Sequence, residues 1–309
     1  MPSFSIIIPH YNIPDLLIRC LKSIPVSEDI QVIVVDDNSS DADTYLERYP
    51  ELSRPYLEFI RTTKGGGAGY ARNVGLDHAK GKWLLFADAD DFYVEKMYEI
   101  IMSYVDSKAD VIYFKKKSVL SENVTVPANR SDYINYLIDR YYETYDEKLV
   151  RANFVVPWSK MINKDFVENL RIRFDETKYS NDLYFMTFVG CRAKNIVVSC
   201  EVLYIVTLRQ GSLTNSFCQK EGELEKRADV SFRVTKLLNQ FNMRREVLPL
   251  EWYLCELLKK NRVQFKYYFW RLNEIYPSKR VALKLIGKDR SIIFKVYLYT
   301  YSFLLWLKR

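Results

Sequence analysis

Residues 88–91 read Asp-Ala-Asp-Asp, two carboxylates one residue apart with a third beside them. Hard carboxylate oxygens at this spacing suit Mg²⁺ or Mn²⁺. Such an ion lets an acidic loop hold a dense anion, such as a diphosphate, instead of repelling it. Solvated turns and helix caps also use Asp, so position has to decide. The run follows Trp-Leu-Leu-Phe-Ala at residues 83–87, an apolar stretch that reads as a buried strand. The arrangement recurs at Asp36-Asp37-Asn38-Ser39, directly after residues 32–35. A carboxylate there can accept a hydrogen bond from a base N–H or a ribose hydroxyl, or it can close an Asx turn.

The elements that must position these groups alternate. Strands are expected at residues 4–8, 31–35, 57–61, 82–87, 110–114 and 202–208. Helices are expected at 15–24, 70–79, 132–142 and 183–189, the first from its apolar spacing Leu16, Leu17, Cys20, Leu21 and Ile24. Strand–helix alternation builds an α/β, mostly parallel sheet. In such sheets ligands bind beyond the carboxyl ends of the strands. Three polar clusters fall there: Pro9-His10-Tyr11-Asn12, residues 36–39 and residues 88–91. His10 is expected to line the ligand loop after the first strand and His78 a helix surface. The glycine run at residues 65–69 is expected to be a flexible loop near the ligand. It matches a dinucleotide-binding turn poorly, because it lies at the third strand and no G-x-G-x-x-G follows the first.

Ser5-Ile6-Ile7-Ile8-Pro9-His10-Tyr11-Asn12, followed by Val34-Val35-Asp36-Asp37-Asn38-Ser39-Ser40-Asp41, closely resembles the opening of the family 2 inverting glycosyltransferases. Gly69-Tyr70-Ala71-Arg72-Asn73-Val74-Gly75-Leu76, then Gly81 and Phe86-Ala87-Asp88-Ala89-Asp90-Asp91, continue the resemblance in order over residues 2–92. It returns more faintly in Pro157-Trp158-Ser159-Lys160, Asn181-Asp182-Leu183-Tyr184-Phe185 and Arg209-Gln210-Gly211-Ser212-Leu213-Thr214.

The resemblance implies a GT-A (Rossmann-like) fold whose first half binds the nucleotide and whose second half receives the acceptor. It places Pro9 and Tyr11 against the base, Tyr11 by stacking, and pairs Asp37 with the base. Arg72 becomes a nucleotide-side contact, Asp88 the residue near the ribose and Asp90 the ligand of Mg²⁺ or Mn²⁺. Asp182 takes the position of the general base, with Asn181 standing where the family carries Glu. An acceptor hydroxyl is a poor nucleophile, and a carboxylate within reach can take its proton. Read alone, Asp182 is better explained as the N-cap of the helix that follows.

The implied activity is transfer of a sugar, with inversion, from a nucleotide-sugar donor to a hydroxyl of a glycan or lipid-linked acceptor in polysaccharide biosynthesis. A UDP-sugar is the expected donor. A nucleotide-sugar-binding protein without catalysis and a nicotinamide-dependent oxidoreductase stand as alternatives.

A GT-A domain is expected over residues 1–220 and a helical region over 221–309. The net charge of +7 is uneven: from Arg244 onward 15 Lys and Arg face 5 Asp and Glu, a balance of +10, leaving −3 for the rest. The stretch 292–307 carries one charge, Lys295, between basic flanks. It is shorter than the ~20 residues of a membrane span and suits either an interfacial helix or a buried one. No nucleic-acid-binding module accompanies the charge. Five scattered cysteines without a C-x-x-C pair argue against a zinc or redox motif and suit reduced thiols. The first twelve residues read as a strand rather than a signal peptide. The expected location is cytoplasmic, with peripheral contact at the inner membrane face through the C-terminal region.

Overall fold

Strands β1 (Phe4–His10) and β2 (Ile30–Asp36) are buried at every position, as continuous β-branched runs are when both sheet faces are covered. The computed structural model describes residues 1–209, 222–245 and 250–276, which divide into two units, Met1–Gln219 and Lys220–Arg309. Residues 210–214 of the last resembling motif, Cys218 and the apolar stretch 292–307 lie outside the described residues.

In the first unit β3 (Leu57–Arg61), β4 (Trp83–Phe86), β5 (Phe92–Tyr93), β6 (Val111–Leu120), β7 (Lys160–Asn163) and β8 (Ile196–Leu208) complete one eight-stranded sheet. Its order is β3-β2-β1-β4-β7-β6-β8-β5. β3, β2, β1 and β4 run parallel, β7 is antiparallel to both neighbours, β6 and β8 are parallel, and β5 is antiparallel to β8.

β1 continues two residues beyond the expected strand, through Pro9. Residues of alternate parity face alternate neighbours: the Ile7 carbonyl accepts from Ala87 on the β4 side, and that of His10 from Asp37 on the β2 side. Pro9 therefore faces the β4 side, where pairing has already stopped at Ile7–Phe86. Its missing N–H breaks no ladder bond.

Side chains alternate across the sheet into two layers. Phe4, Ile6, Ile8, Val32 and Val34 pack beneath α1 (Pro14–Lys22), which starts on a proline at its first turn. Ile7, Ile33 and Val35 pack on the other face, beneath α3 (Gly67–His78). That layer also receives α5 (Asp132–Thr144), α6 (Glu147–Asn153), α7 (Lys164–Leu170) and α8 (Leu183–Arg192). The four-residue α2 (Tyr45–Arg48) and α4 (Met97–Ser103) complete the unit.

Several elements go beyond the sequence expectation. α6 and α7 are short, yet each carries a legible cap: the Asp146 side chain accepts from Lys148 N–H and that of Asn163 from Phe166 N–H. β8 begins six residues early, because the polar Ser199-Cys200-Glu201 is accommodated by a register shift against β6. α3 begins inside the glycine run, which is thus half helix. Among the described residues Cys20, Cys191, Cys200 and Cys255 form no disulfide, and no helix is long and apolar enough to cross a membrane.

In the second unit α9 (Glu223–Gln240), α10 (Leu250–Lys260) and α11 (Arg262–Arg271) bury Leu224, Phe232, Leu238, Leu254, Leu257, Phe265 and Phe269.

A buried polar knot fixes the amino-terminal edge of the sheet. Ser5 Oγ donates to Gln31 Oε1 (2.7 Å) and accepts from Gly81 N–H (2.8 Å), while Gln31 Oε1 also accepts from Lys80 N–H (2.8 Å). Ser5→Ala leaves the buried Gly81 N–H without this acceptor and should cost about 1–3 kcal/mol of stability. The urea midpoint reads this directly, and an unchanged midpoint would show that the knot is dispensable.

Candidate active site

Because β1, β2 and β4 are parallel, their carboxyl ends open at one edge, and the three acidic or polar loops meet there. Beyond β2 the two aspartates do different work. Asp36 is fully buried and accepts from His10 Nδ1 (2.8 Å), Ser39 N–H (2.8 Å) and Ser39 Oγ (2.6 Å). Since His10 Nε2 accepts from Ile13 N–H (3.2 Å), Nδ1 carries the proton. Burial pushes the Asp36 carboxyl up, but the bonds from His10 and Ser39 outweigh it and hold the group below its ordinary value. His10 is thus not an exposed liner of the loop: it is 2% exposed and props the loop from beneath. Asn12 completes the fold-back. Its N–H donates to Ser39 Oγ (2.8 Å) and its Oδ1 accepts from Ser40 N–H (2.9 Å), with Asn12 and Asn38 both at positive φ. Tyr11, beside it, is 58% exposed, whereas Pro9 is buried in β1.

Asp37 takes hold of the glycine run. Its two carboxylate oxygens accept from Gly66 N–H (2.8 Å) and Gly67 N–H (2.7 Å). Those amides are engaged by a carboxylate, so the run is tied down and does not form a pyrophosphate cradle of the dinucleotide type.

From that tether α3 carries Arg72 to the centre of the site. The guanidinium is 4% exposed, donates through Nη2 to Asp88 Oδ1 (2.7 Å) and through Nη1 to Asn181 Oδ1 (2.8 Å), and lies 5.5 Å from the Phe174 ring centroid. The helix comes this close because residue 69 is glycine: a Cβ there would sit 2.0 Å from the Asp175 carbonyl oxygen. Asn73 locks the same approach, bonding the Phe174 carbonyl (3.0 Å) and N–H (2.8 Å). Phe174 in turn stacks on Phe185 of α8 at 3.9 Å.

Asp182 stands at the start of α8, half-buried, and its side chain makes no capping bond. Burial raises its carboxyl above the ordinary value and Asp88 adds to this, against the pull of Arg72 and Lys160.

Asp88, Asp90 and Asp91 place one carboxylate oxygen each within 4.8 Å of one another. The backbone of the loop is pinned: Asp88 N–H donates to Tyr204 Oη (2.9 Å), and the Asp90 carbonyl accepts from Arg19 (2.5 Å) and Thr207 Oγ1 (2.8 Å). Asp91 is 2% exposed and accepts from Thr207 N–H (2.6 Å), so it also anchors β8. Burial first, and then Asp88, raise the Asp90 carboxyl; burial and both neighbours raise Asp91 well above its ordinary value. Arg209, 3.7 Å from Asp90, offsets part of that repulsion. An all-oxygen donor set whose members repel one another is the set that a hard divalent cation relieves.

Sequence reasoning did not single out Arg19, Thr207, Tyr204 or Lys116. Lys116 is 2% exposed and lies 4.0 Å from the Trp158 ring centroid, and Trp158 stacks on Tyr204 (5.6 Å). Burial and Arg130 bring its amine down to about 7. Lys160, in the motif with Trp158, donates to the carbonyls of Phe154 (2.7 Å) and Val156, and burial holds its amine well below the usual lysine range. One lysine in the run 115–117 gives no local sign of being the buried one, beyond the alternation of a strand.

Together, an open, mostly parallel sheet, an acidic cluster at its carboxyl edge and a carboxylate at the start of α8 are the features of an α/β domain of the GT-A type. Residues 5–171, more than half of the chain, match the glycosyl transferase family 2 model, and the chain belongs to that family. It is 28% identical over 235 residues to the glycosyltransferase GlyA of Streptococcus pneumoniae, covering 70% of this chain and 32% of that protein. It is 28% identical over 213 residues to the poly(ribitol-phosphate) beta-glucosyltransferase of Bacillus spizizenii, covering 67% and 32%. The chain therefore spans about a third of the length of these two relatives. The fold matches that of Staphylococcus aureus TarS 1–349, solved in complex with UDP-GlcNAc, with a TM-score of 0.61 and 21% identity over 85% of this chain and 74% of that one.

Because Asp90 and Asp91 hold protons to higher pH than ordinary carboxylates, Mn²⁺ held there would compete with those protons. Its affinity should rise from pH 5 to pH 7 by on the order of tenfold, and Asp90→Ala should remove most of it. Calorimetry in buffers of different ionisation heat measures the release; pH-independent binding without proton release contradicts this assignment.

Proposed function

We propose that the protein transfers a sugar from a nucleotide-sugar donor, a UDP-sugar, to a hydroxyl of a glycan or lipid-linked acceptor, with inversion, in polysaccharide biosynthesis. The observation that carries this reading is Arg72, which ties the acidic cluster at Asp88 to the loop that presents Asp182. The names of similar proteins support it: TarS is solved with UDP-GlcNAc and with UDP, and the Bacillus relative acts on poly(ribitol-phosphate). A mannosyltransferase of Pyrobaculum calidifontis with a similar fold is solved with GDP-Man and Mn²⁺.

Tyr11 offers an exposed ring for stacking on the base, with Pro9 behind it and Asp37 accepting from a base N–H while it holds the glycine run. Asp88 faces the ribose side, and Arg72 orients it. Asp90, with Asp88 and Asp91 beside it, would hold Mg²⁺ or Mn²⁺, which supplies positive charge to the departing diphosphate. Asp182 accepts the proton of the acceptor hydroxyl as its oxygen attacks the anomeric carbon opposite the nucleotide, so the configuration inverts. A carboxylate raised by burial is a stronger base for that step than one in water. The enzyme works at the cytoplasmic face of the membrane, in peripheral contact through its basic C-terminal region.

Asp182→Asn should lower sugar transfer by about 10²–10⁴-fold and leave the thermal shift produced by UDP with Mn²⁺ largely intact. The acid limb of the wild-type rate profile should fall above the ordinary carboxylate range, since the base must be ionised. Normal transfer by this variant removes Asp182 from the role. A protein that binds UDP with Mn²⁺ but releases no UDP from any donor and acceptor pair would be a binding protein instead.

A further inference from the structure

Helix α11 is apolar on two faces, and the second unit buries only one. Phe265, Tyr268 and Phe269 are 1–4% exposed, while Val263, Tyr267 and Trp270, at i, i+4 and i+7, are 76%, 51% and 43% exposed. Those three project along one stripe about opposite the buried one. The charges around the stripe are uneven. Nearby Glu256 is paired with Lys259 (2.7 Å), and Glu274 with Arg271 (2.6 Å) and Lys236 (2.9 Å). Lys260, Arg262 and Lys266 are exposed and make no ion pair among the described residues. Among the described residues, then, these two acids are paired, and three cations without an ion pair accompany an exposed valine, tyrosine and tryptophan.

We propose that this face of α11 is a docking surface for an anionic lipid bilayer, with Val263, Tyr267 and Trp270 entering the headgroup boundary and Lys260, Arg262 and Lys266 lying against lipid phosphates. Tyrosine and tryptophan settle at the membrane–water boundary because their rings are apolar and their polar atoms stay wet. Basic residues beside an apolar stripe add attraction to an anionic surface, about fivefold in affinity for each. Charge decides the occupant. Apposing two copies of this face would bring the same three cations together, whereas anionic headgroups neutralise them. The inference rests on the membrane contact proposed above and gives it a specific surface, distinct from residues 292–307.

Co-sedimentation of the full chain with vesicles of phosphatidylcholine alone, or with a third phosphatidylglycerol, tests it. The wild-type protein should bind the anionic vesicles at least about tenfold more tightly than the neutral ones, and lose the difference in high salt. The variant Val263→Ser/Tyr267→Ser/Trp270→Ser and the variant Lys260→Gln/Arg262→Gln/Lys266→Gln should each lose about tenfold or more. Trp270→Phe, which removes the indole and keeps an aromatic ring, should lose most of the tryptophan quenching by brominated lipid. Unchanged binding by both triple variants, or equal binding to neutral and anionic vesicles, overturns the proposal. So does a dimer in light scattering that the serine variant dissolves, which would assign the face to a second copy. UDP release is measured on the same samples: its absence with vesicle binding intact counts against the transferase reading alone.

Discussion

A guanidinium held inside the protein between two loops is the constraint on which the site depends. Arg72 reaches Asp88 with one nitrogen and Asn181 with another, a geometry that the planar fork of arginine provides and a lysine ammonium cannot reproduce. Breaking a buried charge pair typically costs about 3–5 kcal/mol; here Asp88 is a third exposed and the cost is smaller. The larger consequence is positional. α3 can approach only because residue 69 has no side chain, and its first turn is fixed because Asp37 holds Gly66 and Gly67. The loop after β2, the acidic cluster and the loop carrying Asp182 are thereby bonded into one frame.

Within that frame carboxylates of the same type are driven in opposite directions. Asp36 is buried as deeply as any, yet its partners hold it ionised, and it serves the loop. Asp90, Asp91 and Asp182 receive less hydrogen bonding and more mutual repulsion, so burial wins and their protons are held more firmly. Stored repulsion of this kind is what a bound cation, or a proton, can discharge. The lysines of the other half show the converse. Lys160 is satisfied by backbone carbonyls and Lys116 rests on Trp158, so each amine sits in the interior without a paired carboxylate among the described residues.

Much of the fold was legible in the sequence. Residues 6–8, 32–35 and 83–87 are apolar runs, and their abrupt ends mark central strands and their tips. Since the strand ends carry Asp36, Asp37, Asp88 and Asp90, the acidic edge follows from local pattern and the parallel rule. The short elements were less visible. α6 and α7 have caps that could have marked them, but seven residues give too little periodicity to register. The first half of β8 is hidden because Ser199, Cys200 and Glu201 break the apolar pattern that a register shift repairs.

By itself, then, the sequence determined where strands end and which carboxylates stand at those ends, because burial on both sheet faces demands continuous apolar runs and water demands polar tips. Tertiary structure alone decided which of them act on each other. Nothing local distinguishes Asp36 from Asp37, or reveals that His10 faces inward, that Arg72 spans 109 positions of chain to Asn181, or that Thr207 closes over Asp91. Those pairings arise when distant segments are pressed into one core, where an unpaired polar group is costly enough to select its partner.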